Sequence, residues 1–168
     1  MKFSAALVLA LSVLLSGCGY KLGEIRPTPM RAVRTLAVPT FKNNTYEPRI
    51  EVLFADTLVK RLQQDGTYEI ISADKADAIL NCTITSIDRR ALRSVQNNVL
   101  ATSEFGLRVL VKYEVQDRVT GAVLLAGTAR GETTFFSGND LQTIERQALS
   151  NAAASLADEL AAEVSEGW

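Results

Sequence analysis

Arg89, Arg90 and Arg93 place three guanidinium groups within five residues, with Asp88 beside them. Guanidinium forks match phosphate and carboxylate oxygens, so anion binding is the chemistry this cluster offers. The alternative is a solvated loop whose arginine stems lie on apolar surface. Arg108, Lys112 and Arg130 fall on alternate strand positions and would extend the patch if their strands are neighbours. Other reactive chemistry is scarce. The chain has 168 residues and no histidine, which removes Ser-His-Asp and Cys-His nucleophile systems and histidine metal sites. Asp74 and Asp77 flank the start of a strand and read as solvated turn residues, not as an acid/base pair. Cys82 sits between Leu80 and Ile84 on an apolar strand face and reads as a buried, inert thiol. No loop matches the phosphate-cradling patterns of nucleotide sites. We therefore expect no catalytic residue, no metal and no cofactor. A net charge of −1 gives no basic excess for nucleic acid.

The other cysteine has a different context. Met1-Lys2 is followed by an apolar run from Phe3 to Leu15 and then by Ser16-Gly17-Cys18. A positive start, a short apolar stretch and small residues before a break describe a secretory signal. The run is well short of the ~20 residues that span a bilayer as a helix. The ending Leu15-Ser16-Gly17-Cys18 resembles the lipobox of bacterial lipoproteins. That resemblance implies cleavage before Cys18 and acylation of its thiol, and two or more chains make membrane attachment stable. Gly19 in the next position, where aspartate would signal retention, implies sorting to the outer membrane. The organisation expected is a signal over 1–17, a lipidated tether over 18–33 and one domain over 34–168.

The elements that would position the arginines follow from periodicity. Thr35 to Pro39 is a short apolar run that suits a buried strand. Residues 40–47 read as a polar turn. A helix is expected from about Pro48, at its first position, to Gln64, with Ile50, Leu53, Phe54, Leu58 and Leu62 on one face and Asp65-Gly66 as its stop. Tyr68 to Ile71 is a second short strand, parallel to the first through the helix. From Ala78 to Asp88, and again from Phe105 to Val115, apolar residues alternate with polar ones, the pattern of strands. The arginines then fall in the connection between these two strands. A strand from Ala101 to Gln116 would run ~50 Å if straight, so it bends or its hairpin projects. Asp117 to Gly121 turns the chain into a last strand from Ala122 to about Phe135. Its small residues Ala126, Gly127, Ala129 and Gly131 call for a bulge or a close neighbour. Asn139 is the expected cap of a long alanine-rich helix that reaches about Val164. The order is β-α-β-β-β-β-α. The fold class expected is α/β in the α+β sandwich sense, with two helices on one face of a mixed four- to five-stranded sheet and the other face open to water or a partner.

In this order and spacing, Cys18-Gly19-Tyr20-Lys21-Leu22, Leu36-Ala37-Val38-Pro39, Phe41, Asn43-Asn44-Thr45, Pro48, Ala76-Asp77 and the Asp117 to Gly121 turn resemble the LPS-assembly lipoprotein family, LptE. The likeness spans nearly all of the chain after the signal. It implies a small domain anchored in the inner leaflet of the outer membrane, which plugs the β-barrel LptD, helps it assemble and binds lipopolysaccharide. No motif of the family marks lipopolysaccharide-binding residues, so that role for Arg89, Arg90 and Arg93 rests on local charge. The Leu36 to Asn44 stretch also resembles CsgG-like and penicillin-binding-protein-activator lipoproteins, which would imply a secretion pore or a peptidoglycan synthase as partner.

Overall fold

The computed structural model describes residues 26–95, 98–138 and 140–167, the side chains of residues 94–103 excepted. Cys18, the signal and Asn139 lie outside the described residues. Among the described residues six strands form one sheet: β1 Thr35–Ala37, β2 Lys42–Asn43, β3 Glu69–Ile70, β4 Ala78–Val95, β5 Asn98–Asp117 and β6 Val123–Phe136. The helices are α1 Ile50–Asp65 and α2 Leu141–Glu166. Strand order is β3-β1-β4-β5-β6, with β2 paired to β4 beyond the end of β1. The pairings of β1 with β3, β1 with β4 and β2 with β4 are parallel; those along β4-β5-β6 are antiparallel. This is the expected element order with one strand added.

Both helices pack on the same face. Leu80, Cys82 and Ile84 of β4 and Leu107, Val109, Val111 and Val115 of β5 are buried there against Phe54, Leu58 and Leu62 of α1 and Leu156, Leu160 and Val164 of α2. Arg61 Nε lies 2.5 Å from Asp158 Oδ1 between the helices. Tyr68 donates its hydroxyl hydrogen to the Val164 carbonyl at 2.9 Å. The alanines let α2 settle close to β6: Ala148, Ala152, Ala153, Ala157 and Ala161 are all buried. The small residues of β6 have the close neighbour that the sequence called for. A Cβ on Gly131 would collide with the Ala152 carbonyl of α2, and one on Gly127 would meet the Tyr113 hydroxyl at 2.7 Å. At the sheet edge, β6 donates Arg130 N–H to Glu159 Oε1 and Glu132 N–H to Ser155 Oγ, so α2 also satisfies part of an otherwise open edge.

Several boundaries differ from the sequence reading. Residues 26–33, expected as tether, pack on the domain: a 3-10 turn spans Thr28–Met30, and Met30 and Val33 are buried. The expected polar turn at 40–47 contains β2, which escapes period-two reading because it is two residues long. Pro48 is not the first helical residue. Arg49 takes a left-handed conformation (φ 64°) before α1 starts at Ile50. The approach is held by Asn43, whose Nδ2 donates to the Glu47 carbonyl at 2.7 Å and to Glu51 Oε2 at 3.1 Å. Gly66 (φ 75°) ends α1 as expected, its N–H bonded to the Leu62 carbonyl. The cap of α2 is Asp140, one residue after the expected position, with Oδ1 accepting from the Thr143 N–H at 3.1 Å.

The main correction concerns β4. It does not stop at Asp88 but continues to Val95, paired to β5 along its length. Arg89, Arg90 and Arg93 are strand residues, not a loop. Thr85 is the reason the pattern broke. It is an extra residue between the pairs Ile84↔Val111 and Ser86↔Leu110, a β-bulge. A bulge advances the strand by one residue, so the helix-facing positions change from even (Leu80, Cys82, Ile84) to odd (Ile87, Arg89, Ala91). A search for unbroken alternation ends where that phase changes.

Candidate functional site

The sheet face away from the helices is open. Asn81 and Thr83 of β4, Lys112, Glu114 and Gln116 of β5, and Thr128 of β6 line a shallow polar groove of about 570 Å³. Further along the same face lies a second concavity of about 410 Å³. Its walls are Arg90 and Leu92 of β4, Arg108 of β5 and Glu132 of β6, and Gly106 forms part of the floor. Gly106 matters because a Cβ there would press on Leu92 Cδ1 at 3.2 Å; without it Leu92 folds down over β5. The pairing of β5 with β6 ends at Glu104↔Phe136, and beyond it the β4–β5 hairpin continues as two strands alone. Of the two outcomes that strand length left open, a bend or a projecting hairpin, the structure has the projecting hairpin.

The bulge at Thr85 divides the arginines between the two faces. Arg89 points to the helix side. Its Nη2 donates to Glu47 Oε2 at 3.0 Å and its Nε is bonded to Glu145 Oε1 of α2. Burial alone would lower its pKa, but the hydrogen bonds it donates to Glu47 and Glu145 outweigh this and hold it above the usual arginine range. Arg90 faces the open side, opposite Gly106, and forms no ion pair among the described residues. Arg93 follows a further register shift, and its Nε lies 3.7 Å from Glu104 Oε2. Of the cations expected to extend the patch, Arg108 shares the open concavity but donates to Glu132 Oε1 at 2.6 Å. Arg130 lies on the sheet-edge strand with Nε 3.7 Å from Glu159. The local positive spot is therefore partly neutralised, and among the described residues the arginine of the cluster without an ion pair is Arg90, on the open face. Reading charge along the sequence missed this, because Glu47, Glu104, Glu132 and Glu145 are remote or on neighbouring strands.

The remaining candidates have structural roles. Asp77 accepts the N–H groups of Arg34 and Thr35 at 3.0 Å each, which ties the start of β1 to β4. Those two backbone bonds hold its carboxyl below the usual carboxylate range. Cys82 is buried, and burial pushes its thiol well above the ordinary value. Phe105 and Phe135 stack on the helix side with ring centres 5.4 Å apart, while Phe136, on the other face of the strand, is 64% exposed.

An uncovered polar sheet face, continued by a two-stranded projection and backed by two helices, defines a class of small α+β domain with one covered and one open face. Solved structures share the fold. Protein XCC0632 from Xanthomonas campestris aligns with a TM-score of 0.57 at 12% identity, covering 84% of this chain and 90% of that one. The hypothetical protein CT253 from Chlamydia trachomatis gives 0.57 at 10% identity, covering 80% and 96%. A minor lipoprotein from Acinetobacter baumannii gives 0.53 at 16% identity, covering 79% and 93%. At these identities the likeness speaks for the fold alone. No curated protein matches the chain in sequence. The family model described as LptE, lipopolysaccharide-assembly, matches residues 33–164, and the chain belongs to that family of lipoproteins. Among the described elements the match covers the six strands, α1 and all but the last two residues of α2.

Proposed function

We propose that this lipopolysaccharide-assembly lipoprotein is held at the outer membrane through acylated Cys18 and docks into the lumen of the β-barrel LptD, assisting its assembly and the insertion of lipopolysaccharide into the outer leaflet. The observation that carries this reading is the open sheet face. Asn81, Thr83, Lys112, Gln116 and Thr128 make it polar where a second layer of helices would need it apolar. A wide barrel encloses a polar, water-filled lumen that a plug must match. The hairpin beyond Phe136 adds reach without thickness, which suits entry into a confined space. Within this reading Arg90 meets the phosphates of lipopolysaccharide, Arg93 stands next to it at the hairpin, and Arg89 fixes the strand that presents them.

The complex is tested by solubilising native outer membranes in mild detergent, purifying the lipoprotein and identifying what elutes with it by mass spectrometry. A one-to-one complex with a large barrel is expected. Recovery with a peptidoglycan synthase or a secretion pore would replace the reading. Recovery as a free monomer, with barrel levels unchanged on depletion, would remove it.

A further inference from the structure

The chain enters the domain at one end and is fastened there. Arg26 donates through Nη1 to the Val33 carbonyl at 2.6 Å and through Nη2 to the Thr67 carbonyl at 2.9 Å, with its guanidinium 5.1 Å above the Tyr68 ring. Pro27 packs against Gly167 at the end of α2; a Cβ on that glycine would meet Pro27 Cγ at 3.1 Å. The same end carries the Asp117 to Gly121 turn, connected through the base of the sheet. Asp77 holds the Arg34 and Thr35 N–H groups, its carbonyl accepts the Arg118 N–H at 3.0 Å, and Arg118 Nε donates to the Ala76 carbonyl at 2.7 Å. The turn is rigid, because Asp117 Oδ1 accepts from the N–H groups of Val119 and Thr120 at 3.0 and 2.7 Å. It holds Val119 outward at 77% exposure, with Val123 behind it at 54%. The hairpin tip and the start of α2 are at the opposite end.

We infer that this end is a membrane-docking surface in which Val119 enters the headgroup layer of a phospholipid bilayer. The inference rests on the reading of Cys18 as the lipid anchor. Eight residue steps separate Cys18 from Arg26, which limits their distance to about 28 Å. A domain pinned at Arg26 must then keep this end near the bilayer and direct the hairpin away from it. The segments at this end carry exposed charges of both signs, Arg31, Arg34, Lys75 and Arg118 against Glu69, Asp74, Asp77 and Glu166, with Asp117 half-buried in the turn. Balanced charge suits zwitterionic headgroups and shallow apolar insertion, and not attraction to a polyanion. Lone exposed apolar side chains are ordinary on protein surfaces, but Val119 stands on a rigid turn at the tethered end, with Val123 just beyond it at the start of β6.

The test uses the lipidated protein in vesicles of phosphatidylethanolamine and phosphatidylglycerol containing doxyl-labelled phosphatidylcholine. A thiol-reactive fluorophore is attached to Val119→Cys and, separately, to Tyr46→Cys, a fully exposed position near the other end. The parent chain is the control: an acylated Cys18 has no thiol and buried Cys82 is unreactive, so it should take no label and should float with the vesicles. Quenching at least threefold stronger from Val119→Cys than from Tyr46→Cys is expected. Floating vesicles with equal or negligible quenching at both positions would overturn the docking surface and leave the anchor intact. A parent chain that takes label at Cys18 and does not float would overturn the anchor, and the docking surface with it.

Discussion

Replacing Gly131 by alanine tests the packing that closes the sheet. The backbone there has no positive φ, so alanine meets no conformational penalty and the effect isolates packing. The new Cβ would lie 2.9 Å from Leu156 Cβ and 3.1 Å from the Ala152 carbonyl carbon, against ~3.5–4.0 Å for relaxed carbon contacts. Its closest neighbours belong to the main chain of α2 and a Cβ, which cannot rotate away, so the helix has to retreat. Overpacking of this kind costs about 1–3 kcal/mol. Retreat also stretches the Ser155 and Glu159 bonds to the edge of β6, each contributing about 1 kcal/mol. The stiffer unfolded chain returns about 0.4–1 kcal/mol. The net loss expected is about 2–4 kcal/mol. At about 3 °C per kcal/mol for a domain of this size, the melting temperature should fall by about 6–12 °C. The assay is thermal circular dichroism of the purified lipoprotein in detergent. Gly106→Ala is the comparison: its Cβ meets only the end of the Leu92 side chain, which can move, and should cost under about 1 kcal/mol. Equal melting temperatures for the two variants would show that α2 does not lie on β6 as described.

The divided arginines separate stability from binding. Arg89→Ala leaves Glu47 and Glu145 facing each other and should lower stability by at most about 1 kcal/mol, since the group is 40% exposed and screened. Arg90→Ala should leave urea unfolding unchanged and weaken lipopolysaccharide binding several-fold at low salt, an effect that fades as salt is raised; the reverse pattern would refute the assignment. Asp77→Ala should destabilise at neutral pH. Because hydrogen bonds from Arg34 and Thr35 lower the native pKa of Asp77, the contribution is complete above the unfolded value near ~3.9 and disappears as pH falls through the native one. Urea midpoints of parent and variant should converge below that range, and a gap that persists in acid would contradict the role given to the carboxylate.

Much of the architecture was legible because each element carried its own period or stop. Gly66 ended α1 where Asp65-Gly66 said it would, and alternation from Phe105 to Val115 located β5 without help from its neighbours. Ala126, Gly127, Ala129 and Gly131 signalled either a bulge or a close neighbour; the neighbour is α2 at Gly131 and the Tyr113 side chain at Gly127. What failed were features that only pairing creates. β2 is two residues long and exists because β4 runs past the end of β1. Arg49 takes its left-handed turn because Asn43 and Glu51 hold the approach to α1. The resemblance read from Cys18 to Gly121 named the family that the match over 33–164 shows, although no single motif in that stretch was specific.

The bulge at Thr85 connects the fold to the proposed surface. Without the extra residue, continuation of the even phase would turn Asp88 and Arg90 toward the helices and Ile87 and Arg89 toward the open side. A carboxylate would then replace an isoleucine against the core, which is costly unless it finds a partner. With it, Ile87 completes the core, and Arg89 reaches two carboxylates that anchor the hairpin to α2 and to the loop before α1. Arg90 is left on the open face without an ion pair among the described residues, beside Asp88 and the paired Arg108. The hydroxyl of Thr85 donates to the Leu110 carbonyl at 3.1 Å, so a polar group freed by the irregular pairing is satisfied within the bulge. One inserted residue thus sorts adjacent, chemically identical side chains into a fastening and a cation on the open face. Charge density along a sequence measures neither role until the face of each residue is known.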